Sequence, residues 1–485
     1  MHTVLLIQPL GSLDQPGAFM RTCSLEPLAL EYLQAELEQI NVVAHLFYGR
    51  IDENALFQAI EKYSAVAVGF SVYSYQYAYS LELAGRIKEK NKDVFIIFGG
   101  YHPSALPDKV IVNEHVDFVI AGEGEVTFRE LIAALINNQD VSRVKGIWYK
   151  DAKSIPTQTE RRERVEDIDR ISLPVRHQEV LSHAIQYQVA YPAPSAQVAV
   201  AQVAYSRGCP FACSFCSSKN MWGEKVIWRS PAKVLDEIEM LYKKFGTNLI
   251  YFPDLTFNMN EDKVHEICDE FIRRDLPIHW WGLFRLDRLT VEMLHKLKAA
   301  KCFKLSIGFE RASDSATEVK GNYRVEKEHC TRILQVANDI GLIIKAFLII
   351  GFPDDTIESI HRYKDFLFEN NIDEVRVTFI APFPGTQIWD DYRRNGFLSD
   401  NSDLSRFTTE VPVIRHPHLD DETLFRLRAE LVLDFYHDAR YAEHVTQKIT
   451  KHPHLKNSYL EYFQFLYERG IIDCKVFLDA FPFNR

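Results

Sequence analysis

Two successive series of apolar strands and amphipathic helices constrain the fold of this 485-residue chain more than any other feature. In the first series we predict strands at 3–8, 42–47, 65–71, 94–98 and 118–121, and a helix through Leu30, Leu33, Leu37 and Ile40. Runs such as AVAVGF and VFIIF are typical of parallel strands that helices cover on both faces. Residues 1–150 are therefore predicted to form a doubly wound, Rossmann-like α/β domain.

Four small polar loops follow the carboxyl ends of these strands, with the sequences QPLGS, SVYSY, GGYHPS and GEGE. Ligands of a doubly wound sheet bind beyond the carboxyl ends of its strands. Glycine lets a ligand approach the backbone, and hydroxyl side chains offer hydrogen bonds. The loops favour a ligand crevice, although the same residue types also form ordinary turns.

A second α/β series follows a charged connection. The hairpin-like stretch 144–156 and the segment ERRERVED predict an exposed linker, which we place at 151–194. Six further strands are predicted near 203–206, 249–252, 278–282, 303–308, 344–350 and 374–380. Six βα units predict a partial (β/α)6, TIM-like barrel over 195–395, with its chemistry at the carboxyl ends of the strands. Residues 396–485 contain helical patterns only, and a few of their many aromatic residues are predicted to close the substrate cavity.

Three cysteines, Cys209, Cys213 and Cys216, lie in the segment SRGCPFACSFCSS with the spacing C-x3-C-x2-C. Thiolates are the usual ligands of iron-sulfur clusters, and three of them leave one iron of a four-iron cube open to another ligand. Structural zinc is the alternative, but it needs a fourth ligand at short spacing. The next candidates are as far away as His265 and Cys268. The spacing therefore favours a cluster.

The overall composition limits the classes of partner that the protein is expected to bind. The formal charge of -11 leaves no broad basic surface for a phosphate backbone, so nucleic acid is not an expected substrate. No stretch approaches the roughly 18 apolar residues that span a bilayer, and the chain starts directly with a strand. The remaining cysteines are single rather than patterned as a disulfide framework, which predicts a cytoplasmic protein.

The cysteine motif, with Phe215 before its last cysteine, resembles that of the radical S-adenosylmethionine (SAM) superfamily. The resemblance implies that the three cysteines hold a [4Fe-4S] cluster and that its open iron binds SAM. It also implies SAM contacts further along the barrel. These would involve Phe215, Asp254 in YFPDLTF, Arg285 in WWGLFRLDRL, Glu310 in LSIGFERAS and Gly351 in AFLIIGFP, with Lys320 and Gly321 in VKGNY and the segment APFPGTQIW as further matches. Each also has a purely structural interpretation, such as an ion pair between Glu310 and Arg311.

The first domain resembles the cobalamin-binding domain found in one branch of the same superfamily, on the segments IIFGGYHPSALP and VDFVIAGEGEVTFREL. The resemblance implies a corrin site formed by the strand-end loops, at Ser71, Tyr73, Ser74, Tyr75, Gly99, Gly100, Tyr101, His102, Gly122, Glu123 and Gly124. The motif D-x-H-x-x-G is absent, so the usual histidine ligand of cobalt is missing. The lower face of cobalt would then face water or a tyrosine such as Tyr73 or Tyr75, and His102 is an alternative ligand.

Together these resemblances imply a cobalamin-dependent radical SAM methyltransferase acting on an unactivated carbon of a small biosynthetic intermediate. A 5′-deoxyadenosyl radical and methylcobalamin would carry the reaction, with electrons from a flavodoxin or ferredoxin. One alternative keeps both cofactors but catalyses an oxidation, cyclisation or ring rearrangement. Two others are a radical SAM enzyme that has lost cobalamin and a metal sensor without catalysis.

Overall fold

The computed structural model describes residues 2–10, 26–181, 199–311, 326–399, 402–468 and 470–473. Within them, the first sheet has seven strands in the order β2-β1-β3-β4-β5-β6-β7. The strands are β1 (Thr3–Pro9), β2 (Val43–Gly49), β3 (Ala67–Ser71), β4 (Phe95–Gly99), β5 (Phe118–Ile120), β6 (Ile147–Lys150) and β7 (Pro156–Gln158). The accompanying helices are α1 (Leu28–Glu38), α2 (Glu53–Tyr63), α3 (Tyr77–Lys90), α4 (Tyr101–Ala105), α5 (Pro107–Ile111) and α6 (Glu125–Ile136).

The alternation of side chains along β1 explains why helices cover this sheet on both faces. Leu5 and Ile7 belong to one apolar core, whereas Val4 and Leu6 belong to the core on the opposite face. Successive residues of a strand point to opposite faces, so an all-apolar strand needs cover on both. Strands β1 to β5 pair in parallel, which confirms the doubly wound domain.

We predicted that the hairpin at 144–156 forms an exposed connection, but in the structure it forms the edge of the first sheet. Strand β6 pairs antiparallel with β5, and β7 pairs antiparallel with β6. Ile147, which is opposite Ile120 in this pairing, is 0% exposed. The first sheet thus continues to Gln158, beyond the boundary that we predicted at residue 150.

The second sheet has six parallel strands in the order β15-β14-β13-β12-β11-β8 among the described residues, as a partial barrel requires. They are β8 (Val200–Gln202), β11 (Leu249–Phe252), β12 (His279–Phe284), β13 (Cys302–Glu310), β14 (Ile343–Ile350) and β15 (Glu374–Phe379). The helices of this region are α7 (Ser218–Trp222), α8 (Pro231–Phe245), α9 (Glu261–Arg274), α10 (Val291–Ala299), α11 (Lys327–Asp339), α12 (Ile357–Glu369) and α13 (Gln387–Arg394).

The first barrel strand lies earlier than the predicted 203–206. Strand β8 ends at Gln202, and the chain then leaves the barrel sheet. Ser206–Arg207 (β9) pairs instead with Ile227–Trp228 (β10) in a separate two-stranded ribbon. Buried Asp254, at the end of β11, accepts hydrogen bonds from the backbone of Tyr205 and Ser206 and draws this segment out of register.

The C-terminal part forms helices α14 (Asp421–His437), α15 (Ala439–Lys451) and α16 (Lys456–Glu468). The long apolar pattern that starts at Glu422 is divided between α14 and α15 because Asp438 accepts a hydrogen bond from the Arg440 backbone and begins a new helix. Helix α14 packs on α12 and β15, and the Tyr436 hydroxyl accepts a hydrogen bond from Val375. No helix among the described residues is long and apolar enough to cross a membrane.

Candidate active site between the two α/β units

The cysteine loop begins at Gly208, directly after strand β9. Its φ of +110° and the 2.2 Å between an ideal Cβ and the Lys225 carbonyl oxygen require glycine there. The Cys216 N–H donates to the Cys213 carbonyl over 3.0 Å, which closes a tight turn. The three cysteines are half-buried, and Cys216 Sγ lies 3.2 Å from Ser218 Oγ at the start of α7.

Burial keeps the Cys209 and Cys213 thiols of this loop protonated. It raises the pKa of Cys209, and it raises the pKa of Cys213 to about 11, while the Arg285 guanidinium opposes the shift at both. Since the thiolate is the metal ligand, binding of iron must displace these protons.

The donor set fits a four-iron cube better than a single zinc ion. Among the described residues, no three histidine, cysteine or carboxylate side chains converge as the ligands of one ion must. Zinc needs that convergence, with Zn–S distances of about 2.3 Å. A cube does not, because each thiolate binds a different iron.

Arg285 and Glu310 lie beside the cysteine loop at the ends of β12 and β13. The Arg285 guanidinium stacks 3.5 Å from the ring centroid of Phe211, within the cysteine loop, and pairs with Asp287 at 3.0 Å. Desolvation raises the pKa of Glu310 to about 7, against the effect of Arg285. Glu310 has a φ of +57°, a strained conformation for a residue other than glycine. Its carboxylate folds back over Gly308, where a Cβ would lie only 2.5 Å away.

Asp254 does not face the space between the two units, although its neighbours Pro253 and Leu255 line it. Its carboxylate is 2% exposed and is occupied by the Tyr205 N–H, the Ser206 N–H and the Ser206 hydroxyl. Desolvation raises its pKa to about 6 while these hydrogen bonds lower it. The geometry makes Asp254 a positioning residue for the segment that leads to Cys209.

Gly351 lies in a turn that Asp355 holds in place. Our sequence analysis did not identify Asp355. Gly351 has a φ of +85°. The Asp355 carboxylate, 0% exposed, accepts hydrogen bonds from the N–H groups of Gly351 and Phe352 at 2.8 and 3.0 Å. Arg311 pairs with Asp355 at 2.8 Å, so the alternative ion pair between Glu310 and Arg311 does not form. Asp355 is the second residue after GFP, and nothing in the sequence alone marks its role.

The end of β15 supports the cysteine loop. The segment APFPGTQIW leads into α13, and the Ile388 N–H at its start donates to the Ser214 carbonyl over 3.1 Å. Phe215 packs in an apolar cluster with Phe352 and with Phe407 of the C-terminal part. The tail therefore reaches the cysteine loop, while Lys320 and Gly321 lie outside the described residues.

A cavity of about 600 Å³ separates the two α/β units. The first unit contributes most of the predicted corrin contacts to its wall, namely Ser71, Tyr73, Tyr75, Gly99, Gly100, Tyr101, Gly122, Glu123 and Gly124. The second unit contributes residues around the cysteine loop, including Arg207, Gly208, Met221 and Trp222. Ser74 and His102 lie behind this wall.

Glycine and stacked tyrosines shape the wall on the first unit, as a large flat ligand requires. Gly100 has a φ of +99°, and a Cβ there would lie 2.7 Å from the Val72 nitrogen. The ring of Tyr73 stacks on Tyr101 at 5.4 Å and on Tyr75 at 6.0 Å. Three stacked, nearly parallel rings and a bare backbone offer apolar faces against which a corrin could pack.

His102 is held away from the cavity. It is 2% exposed, its Nδ1 lies 3.1 Å from the Ser74 hydroxyl, and its ring packs on Tyr77 at 4.2 Å. Burial lowers its pKa to about 4, so the imidazole is neutral at physiological pH. The alternative in which His102 binds cobalt requires a rearrangement of this packing.

Direct contacts join the cysteine loop to the predicted corrin loops. Arg207, which precedes the loop, is 6% exposed and pairs with Glu123 at 3.3 Å and Glu125 at 2.7 Å. Trp222 Nε1–H, at the end of α7, donates to the Tyr101 hydroxyl over 3.0 Å. The cysteine loop is therefore joined at both of its ends to the wall of the cavity, although the three cysteines are not part of that wall.

Comparisons with known proteins agree with this arrangement. Residues 23–132 match the B12 binding domain, and residues 203–367 match the radical SAM superfamily. An uncharacterised methyltransferase of Pyrococcus horikoshii is 27% identical over 414 residues, 84% of this chain and 87% of that protein. The anaerobic magnesium-protoporphyrin IX monomethyl ester cyclase of Rubrivivax gelatinosus is 27% identical over 344 residues, 69% of this chain and 59% of that protein.

Among solved structures, the radical SAM methyltransferase TsrM from Kitasatospora setae, with cobalamin and a [4Fe-4S] cluster bound, has the same fold. The TM-score is 0.67 at 15% sequence identity, over 95% of this chain and 99% of that chain. The two matched domains occur in the predicted order, around a cavity that both of them line. The chain belongs to the cobalamin-dependent radical SAM enzymes, whose cofactors are a [4Fe-4S] cluster, SAM and cobalamin.

Proposed function

We propose that the protein is a C-methyltransferase that moves a methyl group from SAM to an unactivated carbon of a small molecule. The observation that carries the proposal is the shared cavity, into which Gly208 and Trp222 project from one side and Tyr73 and Gly100 from the other. When bound, the cofactors supply the radical and the methyl group. The protein has to hold substrate and cofactors in line and to exclude water.

We assign the binding roles as follows. Cys209, Cys213 and Cys216 hold the cluster, and Glu310, Gly351 and Phe215 contact SAM, with Arg285 beside them. Asp254 and Asp355 position these segments rather than contacting SAM. Ser71, Tyr73, Tyr75, Gly99, Gly100, Tyr101, Gly122, Glu123 and Gly124 hold cobalamin, supported from behind by Ser74 and His102.

The relative matched over most of both lengths supports methyl transfer, because it is named a methyltransferase. The second candidate function, a radical oxidation or cyclisation without methyl transfer, is favoured by the similarity to a cyclase, which covers 59% of that protein. Both candidates use the same cavity, so product analysis has to separate them. We also infer a cytoplasmic location and a flavodoxin or ferredoxin as electron donor, since an unpaired thiol loop suits a reducing compartment.

The test is anaerobic reconstitution with iron, sulfide and hydroxocobalamin, followed by reaction with methyl-labelled SAM under reductant. We expect about four irons and bound corrin per chain, and formation of 5′-deoxyadenosine. When extracts of small metabolites are supplied as the source of substrate, we expect the methyl label in a product. Cys213→Ala should lose the cluster and both products but retain corrin, whereas Cys330→Ala, on α11 away from the loop, should retain all of them. Deoxyadenosine without label transfer would favour the second candidate, and a cluster without corrin would refute both.

A further inference from the structure

The inner face of the barrel sheet carries several charged side chains. On β14, Ile344, Ala346 and Leu348 belong to the core beneath the helices. Side chains alternate along a strand, so Lys345 and Phe347 point to the inner face. The strand register places Ser306 and Glu374 beside Lys345.

Two lysines on this face share one carboxylate. Lys304 Nζ lies 2.7 Å from Glu374 Oε1, and both side chains are 1% exposed. Lys345 Nζ lies 3.4 Å from Glu374 Oε2 and is 17% exposed. Neither Lys304 Nζ nor the Glu374 oxygens form a hydrogen bond of good geometry in the part of the chain that the structure describes. Lys304 and Glu374 therefore form a close, buried ion pair.

Further cationic side chains lie at the neighbouring edge of the sheet. Arg376, on β15, pairs with Glu410, which also accepts a hydrogen bond from Arg428 at 3.3 Å. In the group of Lys304, Lys345 and Glu374, two cationic side chains thus face one carboxylate, in a chain whose formal net charge is -11. A local charge opposite to that of the whole protein marks a site for an anion.

Burial makes this excess costly for a purely structural role. An uncompensated charge in a low-dielectric site loses hydration that a single shared carboxylate cannot restore. Desolvation lowers the pKa of Lys304 to about 8, with Glu374 opposing and Lys345 adding to the shift. A bound anion between the two ammonium groups would supply the missing negative charge.

The other side of this face is apolar. Tyr251 stacks on Trp281 with 5.0 Å between ring centroids. Leu283 and Phe347 are half-buried on the same face. From these observations we propose that the substrate carries a carboxylate or phosphate, bound by Lys345 and Lys304, together with an apolar part that packs on Tyr251 and Phe347. This inference rests on the proposed function.

The Lys345 group lies far from the cysteine loop, measured along the strand. Glu310, beside the cysteine loop, is four residues beyond Ser306, which pairs with Lys345. At about 3.3 Å per residue, that separation is roughly 13 Å along the strand. The substrate is therefore extended, with its anion serving as a binding handle.

The experiment compares two probes of equal shape, 4-phenylbutyrate and 4-phenylbutyramide, by equilibrium dialysis against the reconstituted holoenzyme with SAM. We expect the acid to bind at least tenfold more tightly than the amide. Lys345→Met should abolish that preference. Lys364→Met should keep it, because Lys364 lies on the outer helix α12 and pairs with Asp434.

Equal binding of acid and amide, no binding of either, or an undiminished preference in Lys345→Met would overturn the anion site. The measurement does not depend on turnover. An acid preference in a protein that transfers no methyl group would therefore refute the proposed function alone, and methyl transfer without an acid preference would refute the substrate class alone.

Discussion

Replacement of Arg176 by methionine should loosen the junction between the two α/β units. Arg176 lies in the segment that we predicted as a linker, yet its side chain is 1% exposed. Its guanidinium pairs with Glu26, with Glu31 of α1 at 3.2 Å and with Glu237 of α8 at 2.6 Å. It also donates to the Gln202 carbonyl of β8 over 2.7 Å. One side chain therefore joins the first unit to the barrel.

The expected cost follows from what the substitution leaves behind. Methionine fills a similar volume but leaves the buried carboxyl groups of Glu26 and Glu31 without the guanidinium that bonds them, while Glu237 keeps Arg229 at 2.6 Å. Removing one partner of a buried ion pair costs about 3–5 kcal/mol. At about 1.4 kcal/mol for each factor of ten, local opening should become roughly 100- to 3,000-fold more frequent.

Hydrogen exchange followed by mass spectrometry measures this opening without assuming two-state unfolding, which a chain of several domains does not satisfy. Protection should fall in α1 (Leu28–Glu38) and α8 (Pro231–Phe245) of the Arg176→Met protein. Arg170→Met is the matched control, because Arg170 is 84% exposed and pairs with Asp167 only at the surface. Protection of both helices within twofold of that control would refute the reasoning.

Three further predictions test single sites. Asp355→Asn should weaken SAM binding about tenfold, since a hydrogen bond to a charged group contributes about 1.5–3 kcal/mol. The matched control is Asp354→Asn, at an exposed position, which should not weaken SAM binding. Equilibrium dialysis with SAM measures both variants. Desolvation raises the pKa of Glu31 to about 8, so between about pH 4.5 and 8 the folded state holds a proton that the unfolded state has lost, and stability falls as pH rises. Glu31→Gln should therefore flatten the decline of Tm from pH 6 to 8, and parallel curves would contradict the assignment. Because His102 is bonded to Ser74, His102→Gln should leave the electron paramagnetic resonance spectrum of bound cob(II)alamin unchanged, and loss of a nitrogen coupling would identify His102 as a ligand.

The elements that the sequence predicted well are those whose signal is apolar periodicity. Strands β3, β4, β11 and β14 are found within two residues of their predicted bounds. Their burial against helices is a local property of the chain, so the pattern suffices. The first barrel strand was misplaced because the apolar run continues to Tyr205, while Asp254, remote in sequence, withdraws that segment from the sheet.

The sequence predicted the site only where residue type and spacing are specific for one kind of chemistry. The three cysteines and the glycine-rich loops carry such a signature, and the family matches agree with it. Asp355 and Arg176 carry none, because a single charged residue in a loop looks like a solvated one until its partners are known. Both partners of such a pair have to be brought together by the fold before either can be recognised.

The same reasoning explains how the two cofactor sites are kept in register. Gly208 starts the cysteine loop, and Arg207 immediately before it pairs with Glu123, on the loop after β5, and with Glu125, the first residue of α6. Apolar packing tolerates small shifts, whereas a buried guanidinium held by two carboxylates fixes distance and direction together. These buried charges thus lie between the two cofactor sites. A displacement of about 1 Å there would be most damaging to a reaction between two bound partners. The junction is polar because its task is alignment rather than stability.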